Sequence, residues 1–213
     1  MSNEQIFASI YAKGKWGNDK SKKFNSGSGS HNSTLVDPYI SSLRQKFSEQ
    51  GFNLSVADVG CGDFTVGIQT VEFFKNYYAI DVAPKLIQSH KENYSRDNLI
   101  FMQQDVTTKK LPNVDIVIAR QCLQHLSNNQ ILQFLSNLPN DLRYLIVSEH
   151  VPSSSFQSNI DIQTGHETRL VKGSGVVLHE HPFNIKFTEK DIICCVEDSN
   201  GTIMTTCYEN PRK

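Results

Sequence analysis

Apolar positions recur at helical spacing over residues 35–47, where Val36, Tyr39, Ile40, Leu43 and Phe47 fall on one face and Gly51 supplies a stop. Beyond this point the pattern changes. Short apolar runs read as five strands: LSVADV (54–59), YYAID (77–81), LIFMQ (99–103), VDIVIA (114–119) and RYLIVSEH (143–150). Helix-patterned stretches separate them: VGIQTVEFF (66–74), APKLIQSHKENY (83–94), then CLQHL (122–126) and QILQFLSNL (130–138). Apolar runs without strict alternation suit parallel strands covered on both faces, and strand–helix alternation indicates a doubly wound α/β sheet. Right-handed crossovers place all strand C-termini on one edge, where ligands bind.

The two ends differ from this middle. Residues 1–33 form an arm, with an amphipathic piece at 6–11 and a Gly-, Lys- and Ser-rich loop ending in SGSGS (26–30). A flexible linker fits this composition, yet Trp16, the only tryptophan, fits a loop anchored over a site. Residues 151–184 are polar with little periodicity and read as an insertion or lid on the acceptor side. ICCVED (193–198) and TIMTTCYE (202–209), joined through Ser199-Asn200-Gly201, predict an antiparallel hairpin. The expectation is one domain over residues 1–213.

Composition narrows the function classes. Lys plus Arg is 21 against 22 for Asp plus Glu, a net charge of -1, which argues against nucleic acid or anionic lipid as a partner. Five lysines between Lys13 and Lys23 read as a solvated stretch of the arm. No stretch approaches the ~20 apolar residues of a membrane span, and the first residues lack a signal pattern, so a cytoplasmic location is expected. The five cysteines include no CxxC pair, which predicts reduced thiols and no metal site.

VADVGCGDF (56–64) lies where the first strand meets the predicted helix. Gly60 and Gly62 let backbone approach a ligand, and N–H groups opening the helix can meet an anion. The run begins like a dinucleotide fingerprint, but Thr65 stands at its third glycine position, which weakens a pyrophosphate reading. Asp81 ends the second strand and can accept hydrogen bonds from both hydroxyls of a ribose. It can also cap the helix that opens at Ala83-Pro84; the spacing favours ribose. In QQDV (103–106), Asp105 can accept from an exocyclic amine.

The ordered series ADVGCGD, YYAID, QQDV, VDIVIARQCLQHL and RYLIVSEH resembles the motifs of class I S-adenosylmethionine-dependent methyltransferases over residues 54–150. The resemblance implies a seven-stranded Rossmann-like α/β sheet, mostly parallel, ending in an antiparallel β-hairpin, with S-adenosyl-L-methionine as cofactor. It implies Asp58, Gly60, Cys61, Gly62 and Asp63 around the methionine part. Asp81 would hold the ribose, and Val82, Gln104, Asp105 and Val106 would border the adenine. Arg120 and Gln121 would lie between cofactor and acceptor. The flanks resemble a narrower bacterial subgroup, through IYAKGKWG (10–17), SGSGS, and the later set Asn159, Asp161, Ile162, Gly165, Arg169 and Pro182-Phe183. That likeness implies both flanks closing over the site. It adds Trp16 and Ser28 to the cofactor contacts, and His125, Asn159, Asp161, Arg169 and Phe183 to the acceptor contacts.

Methyl transfer is an in-line displacement, so positioning dominates, and a hydroxyl acceptor also sheds a proton. His150 ends the fifth strand and is the candidate base, with a buried structural histidine as an equal alternative. For His125 a structural role under the site is favoured over catalysis. Arg120 and Arg169 can fix an anionic acceptor or make ion pairs. The favoured activity is methylation of a small polar acceptor, on an oxygen of a sugar or related metabolite, because no separate recognition domain is visible. Protein or nucleic-acid methylation and a non-catalytic cofactor-binding module are the alternatives. ARQC after the fourth strand, in place of an NPPY-type motif, argues against adenine N6 methylation.

Overall fold

The computed structural model describes residues 1–17, 24–48, 53–198 and 201–210. Gly51, Ser199, Asn200 and the lysines at 20, 22 and 23 lie outside the described residues. The centre is a seven-stranded sheet in the order β3-β2-β1-β4-β5-β7-β6. β1 (Ser55–Val59), β2 (Asn76–Asp81), β3 (Leu99–Gln103), β4 (Ile116–Arg120) and β5 (Tyr144–Val151) are parallel neighbours. β6 (Glu189–Asp198) and β7 (Gly201–Glu209) form the hairpin, and β7 inserts antiparallel between β5 and β6.

Continuous apolar runs form the central strands because both faces are covered. Ala57, Val59, Val117, Ala119, Leu145 and Val147 enter one core cluster. Val56, Ile116, Ile118, Tyr144 and Ile146 enter the other. Helix α2 (Ser33–Phe47) starts where the Asn32 side chain accepts from Thr34 N, and its stripe of Tyr39, Leu43 and Phe47 packs into the second cluster. α3 (Pro84–Asn93) opens with proline in its first turn, and α4 (Asn128–Ser136) is capped by Ser127. The arm contributes α1 (Asn3–Ala12), started by a capping box between Ser2 and Gln5. Among the described residues no helix is long and apolar enough to cross a membrane.

Two expectations change. The helix predicted over 66–74 is a pair of 3₁₀ turns, Gly67–Gln69 and Val71–Phe73. Thr70 sends both its N–H and its hydroxyl to Gly67 O at 2.9 Å, which fixes the tighter turn, and the β-branched Val66, Ile68, Thr70 and Val71 favour α-helix little. The helix N-terminus expected to face an anion therefore does not form.

The insertion 151–184 is packed structure. Val176, Leu178 and Phe183 join the first core cluster. Its polar residues turn inward to loop backbone. Asn159, at φ 59°, donates to Val177 O and His181 O and accepts from Val177 N.

Candidate functional site

A cleft of about 1070 Å³, open mouth included, lies at the C-terminal edge of the sheet, where β1, β2, β3 and β4 end. Asp58, late in β1, is buried and accepts from Tyr77 Oη on β2 at 2.8 Å. Burial pushes its carboxyl up to about 6, against the opposing pull of that hydroxyl and of Arg120.

The turn after β1 hangs on β2, with Gly60 N and Cys61 N both donating to Ile80 O. Gly60 and Gly62 have φ of 69° and 56°, conformations that favour glycine. A Cβ at Gly60 would lie 2.5 Å from Cys122 Sγ, and one at Gly62 would strike Ser26 Oγ. The glycines thus make room for the protein's own neighbours as well as lining the cleft. Gly62 O is held by His90 Nε2 at 2.7 Å.

Asp81 is tied to backbone on both sides but does not cap α3, whose N-cap is Ala83 with no side-chain cap bond. Its Oδ2 accepts from Gly62 N at 3.2 Å, and its Oδ1 accepts from Ala83 N at 2.9 Å. Each oxygen keeps a second lone pair. Burial pushes this carboxyl up to about 6 as well, against the pull of the backbone N–H groups. Val82, Gln104, Asp105 and Val106 line the same cleft. Asp105 Oδ1 accepts from Thr107 N and Oγ1 at 2.9 and 2.7 Å and from Asn3 Nδ2 of the arm at 3.3 Å.

At the end of β4, Arg120 donates to Gly29 O at 2.7 Å and lies over the Tyr39 ring at 5.1 Å. Its Nε is buried without a partner. Gln121 lines the cleft beside it at φ 50°.

The arm crosses the opening. Trp16 Nε1 donates to His166 O at 3.3 Å, and its ring lies 5.0 Å from that of His125. Of the SGSGS serines, Ser26 and Ser30 line the cleft and Ser28 does not; Ser28 starts a 3₁₀ turn whose carbonyl holds His31 N.

The acceptor-side residues separate. His125 lines the cleft, whereas Asn159, Asp161, Arg169 and Phe183 do not. Asp161 Oδ1 accepts from Asn128 N at 2.7 Å, Arg169 is fully buried on backbone carbonyls, and Phe183 is core. His150 also lies outside the cleft: its Nε2 is 3.6 Å from Asp198 Oδ2 on β6, toward the sheet's far end. The base expected there is misplaced, because His150 faces the terminal hairpin.

Sequence reasoning missed Asn3, Phe7, Tyr11, Tyr39 and Cys122 in the lining. Tyr39 was legible only as part of the apolar stripe of its helix. Asn3 meets Asp105 across 102 residues of chain, and no local pattern encodes that.

The family model described as "Methyltransferase domain" matches residues 56–143, from β1 to the start of β5. Over that stretch the chain is similar to methyltransferase domains. Solved methyltransferases share its fold. The N-methyltransferase NodS from Bradyrhizobium japonicum WM9, in complex with S-adenosyl-L-homocysteine, is 13% identical with TM-score 0.63, over 95% of this chain and 99% of that one. Magnesium protoporphyrin IX methyltransferase from Synechocystis PCC 6803 is 15% identical with TM-score 0.59, over 98% and 100%. Human N-acetylserotonin methyltransferase is 12% identical with TM-score 0.55, over 100% of this chain and 61% of that one. No curated protein sequence matches the chain significantly.

The residues of this methyltransferase fit its cofactor. Asp81 has lone pairs for a diol, the unpartnered Arg120 Nε suits a carboxylate, and Asp105 with Gln104 brings polar atoms beside Val82 and Val106 for an adenine.

Proposed function

We propose that this methyltransferase acts on a small polar acceptor, at an oxygen of a sugar or related metabolite, beneath an arm that closes the cleft. Bound S-adenosyl-L-methionine supplies an electrophilic methyl carbon on a good leaving group. Asp81 holds the ribose, Gln104 and Asp105 border the adenine, and Asp58, the glycine turn and Arg120 surround the amino-acid end. The protein's main contribution is alignment, worth up to ~7–11 kcal/mol in well-oriented reactions.

The observation that carries this reading is the arm's seat. Asn3, Tyr11, Trp16 and Ser26 line the same cleft as Asp81 and Arg120, so the acceptor has to fit beneath them. A protein or duplex substrate needs an open face instead. Arg169 lies outside the cleft, with its two terminal nitrogens donating to Leu123 O, Leu126 O and Asn128 Oδ1. This favours a neutral polar acceptor over an anionic one held by Arg169.

The test is incubation with methyl-labelled cofactor and a polar-metabolite extract. Label in small products together with released S-adenosylhomocysteine is the expected result. Label confined to protein or nucleic acid, or cofactor binding without turnover, overturns the proposal.

A further inference from the structure

Two buried ionisable residues stand outside the cleft lining: Glu149, 2% exposed, and Arg169, 0% exposed. Both act on one 3₁₀ turn, Leu123–His125. Glu149 Oε1 accepts from Leu123 N at 2.8 Å, and Oε2 accepts from Gln124 N at 3.1 Å. From the other side Arg169 donates to Leu123 O at 3.1 Å, and to Leu126 O and Asn128 Oδ1 at 2.7 Å each. Burial pushes the Glu149 carboxyl up to about 8, against the pull of the Leu123 and Gln124 N–H groups and of Arg169, and both side chains are directed at this turn and the residues that follow it.

That turn presents His125 to the cleft. The ring's Nδ1 lies 3.1 Å from Glu167 O. A carbonyl oxygen can only accept, so the Glu167 contact puts the ring proton on Nδ1 and leaves Nε2 as the ring's acceptor nitrogen. Trp16 packs against the ring from the arm. Burial pushes the imidazole down to about 4; the Glu167 and Gly165 carbonyls oppose this, and His166 and Arg169 add to it. The ring is therefore neutral at neutral pH.

We propose that His125 is a catalytic residue, its Nε2 accepting the proton that an acceptor hydroxyl sheds, and that Glu149 and Arg169 are positioning residues for its turn. The inference rests on the methyl-transfer reading above. The acceptor oxygen gains the methyl carbon as the methyl–sulfur bond breaks, the bonding pair stays on sulfur, and the hydroxyl proton moves to Nε2, later to be lost to water. A weak base is sufficient. The oxygen becomes strongly acidic as its third bond forms, so the proton departs late and downhill.

The test has two readouts on the full chain. The first uses ¹⁵N-histidine-labelled protein with and without S-adenosylhomocysteine. One imidazole with protonated Nδ1 and bare Nε2, neutral to pH 5 and missing from His125→Asn, is expected; a proton on Nε2 overturns the inference. Arg169→Lys, which cannot span the same carbonyls, should disturb that signal, and an unchanged signal removes the positioning role. The second uses tritiated-methyl cofactor with a polar-metabolite extract. His125→Asn should lower kcat at least about 100-fold while S-adenosylhomocysteine affinity stays within a few-fold. His125→Gln repeats the measurement should the first variant lose its fold. Product formed equally by variant and unaltered protein sinks this inference alone. No product from unaltered protein that binds S-adenosylhomocysteine sinks the methyl-transfer reading, and this inference with it.

Discussion

Ser26 and Asp63 bind each other reciprocally: Ser26 N donates to Asp63 Oδ2 at 2.9 Å, and Asp63 N donates to Ser26 Oγ at 2.8 Å. The same Oδ2 lies 2.8 Å from His31 Nε2. One carboxylate after the glycine turn thus fastens the returning half of the arm at two points. Its other oxygen accepts from Thr65 N at 3.2 Å, so Asp63 ties the arm to the turn that lines the cleft.

Asp63→Ala removes the acceptor of Ser26 N and one contact of the His31 ring. Hydrogen bonds to a charged group contribute about 1.5–3 kcal/mol, so the arm should open readily. The expected result is roughly 10-fold weaker S-adenosylhomocysteine binding by calorimetry, with faster amide exchange across α1. Unchanged exchange in α1 would show that the arm is held elsewhere.

Asp81 gives a pH dependence of definite sign. Ligand hydroxyls donate to the ionised carboxylate, and burial sets its unliganded midpoint at about 6. Affinity for S-adenosylhomocysteine should be full above that pH and fall as pH drops through it. Without ligand the linkage to folding runs the other way. The folded-state value lies above the unfolded one, so this group's contribution to stability is full below pH ~4 and lost as pH rises through about 6. Asp81→Asn should weaken binding and flatten its slope between pH 5 and 7, leaving the part due to Asp58, whose carboxyl is also pushed up to about 6; an unchanged slope assigns the titration to Asp58.

Gly60 separates two costs. Gly60→Ala meets Cys122 Sγ and also forces alanine to φ 69°. Adding Cys122→Gly removes the collision but leaves the left-handed backbone, worth about 1–2 kcal/mol. Urea unfolding of the single variants and the double should therefore show partial rescue. Full additivity would mean that the turn shifts away from Cys122.

The five parallel strands were legible because each apolar run has to be covered, and their bounds move by at most two residues between pattern and structure, whereas the exposed β6 begins four residues before the predicted run. Asp81 and Gly62 were legible for a related reason, since the strand edge fixes where a carboxylate and a tight turn can meet. The segment 66–74 was not, because apolar spacing at 3.6 residues cannot be told from 3₁₀ turns in so short a stretch. Asn159, Asp161 and Arg169 have the residue types of a ligand site. Only the fold reveals that their polar atoms are consumed by backbone. Buried polar groups that satisfy loops and those that wait for ligand look alike in sequence.

His150 supplies the sharpest contrast with that reading. It occupies the strand end expected of a base, but its nearest described charge is Asp198, 3.6 Å away across the hairpin, and it is absent from the cleft lining. Burial lowers its pKa while Asp198 raises it, so its contribution concerns the packing of β5 against the terminal strands. His150→Asn should keep kcat and KM for labelled product within about 2-fold, while lowering stability by roughly 1 kcal/mol as the hairpin end loosens. A collapse of kcat with intact S-adenosylhomocysteine binding would restore His150 as the base and remove His125 from that role. Measuring both histidine variants side by side decides between them, because of the two rings only that of His125 lines the cleft.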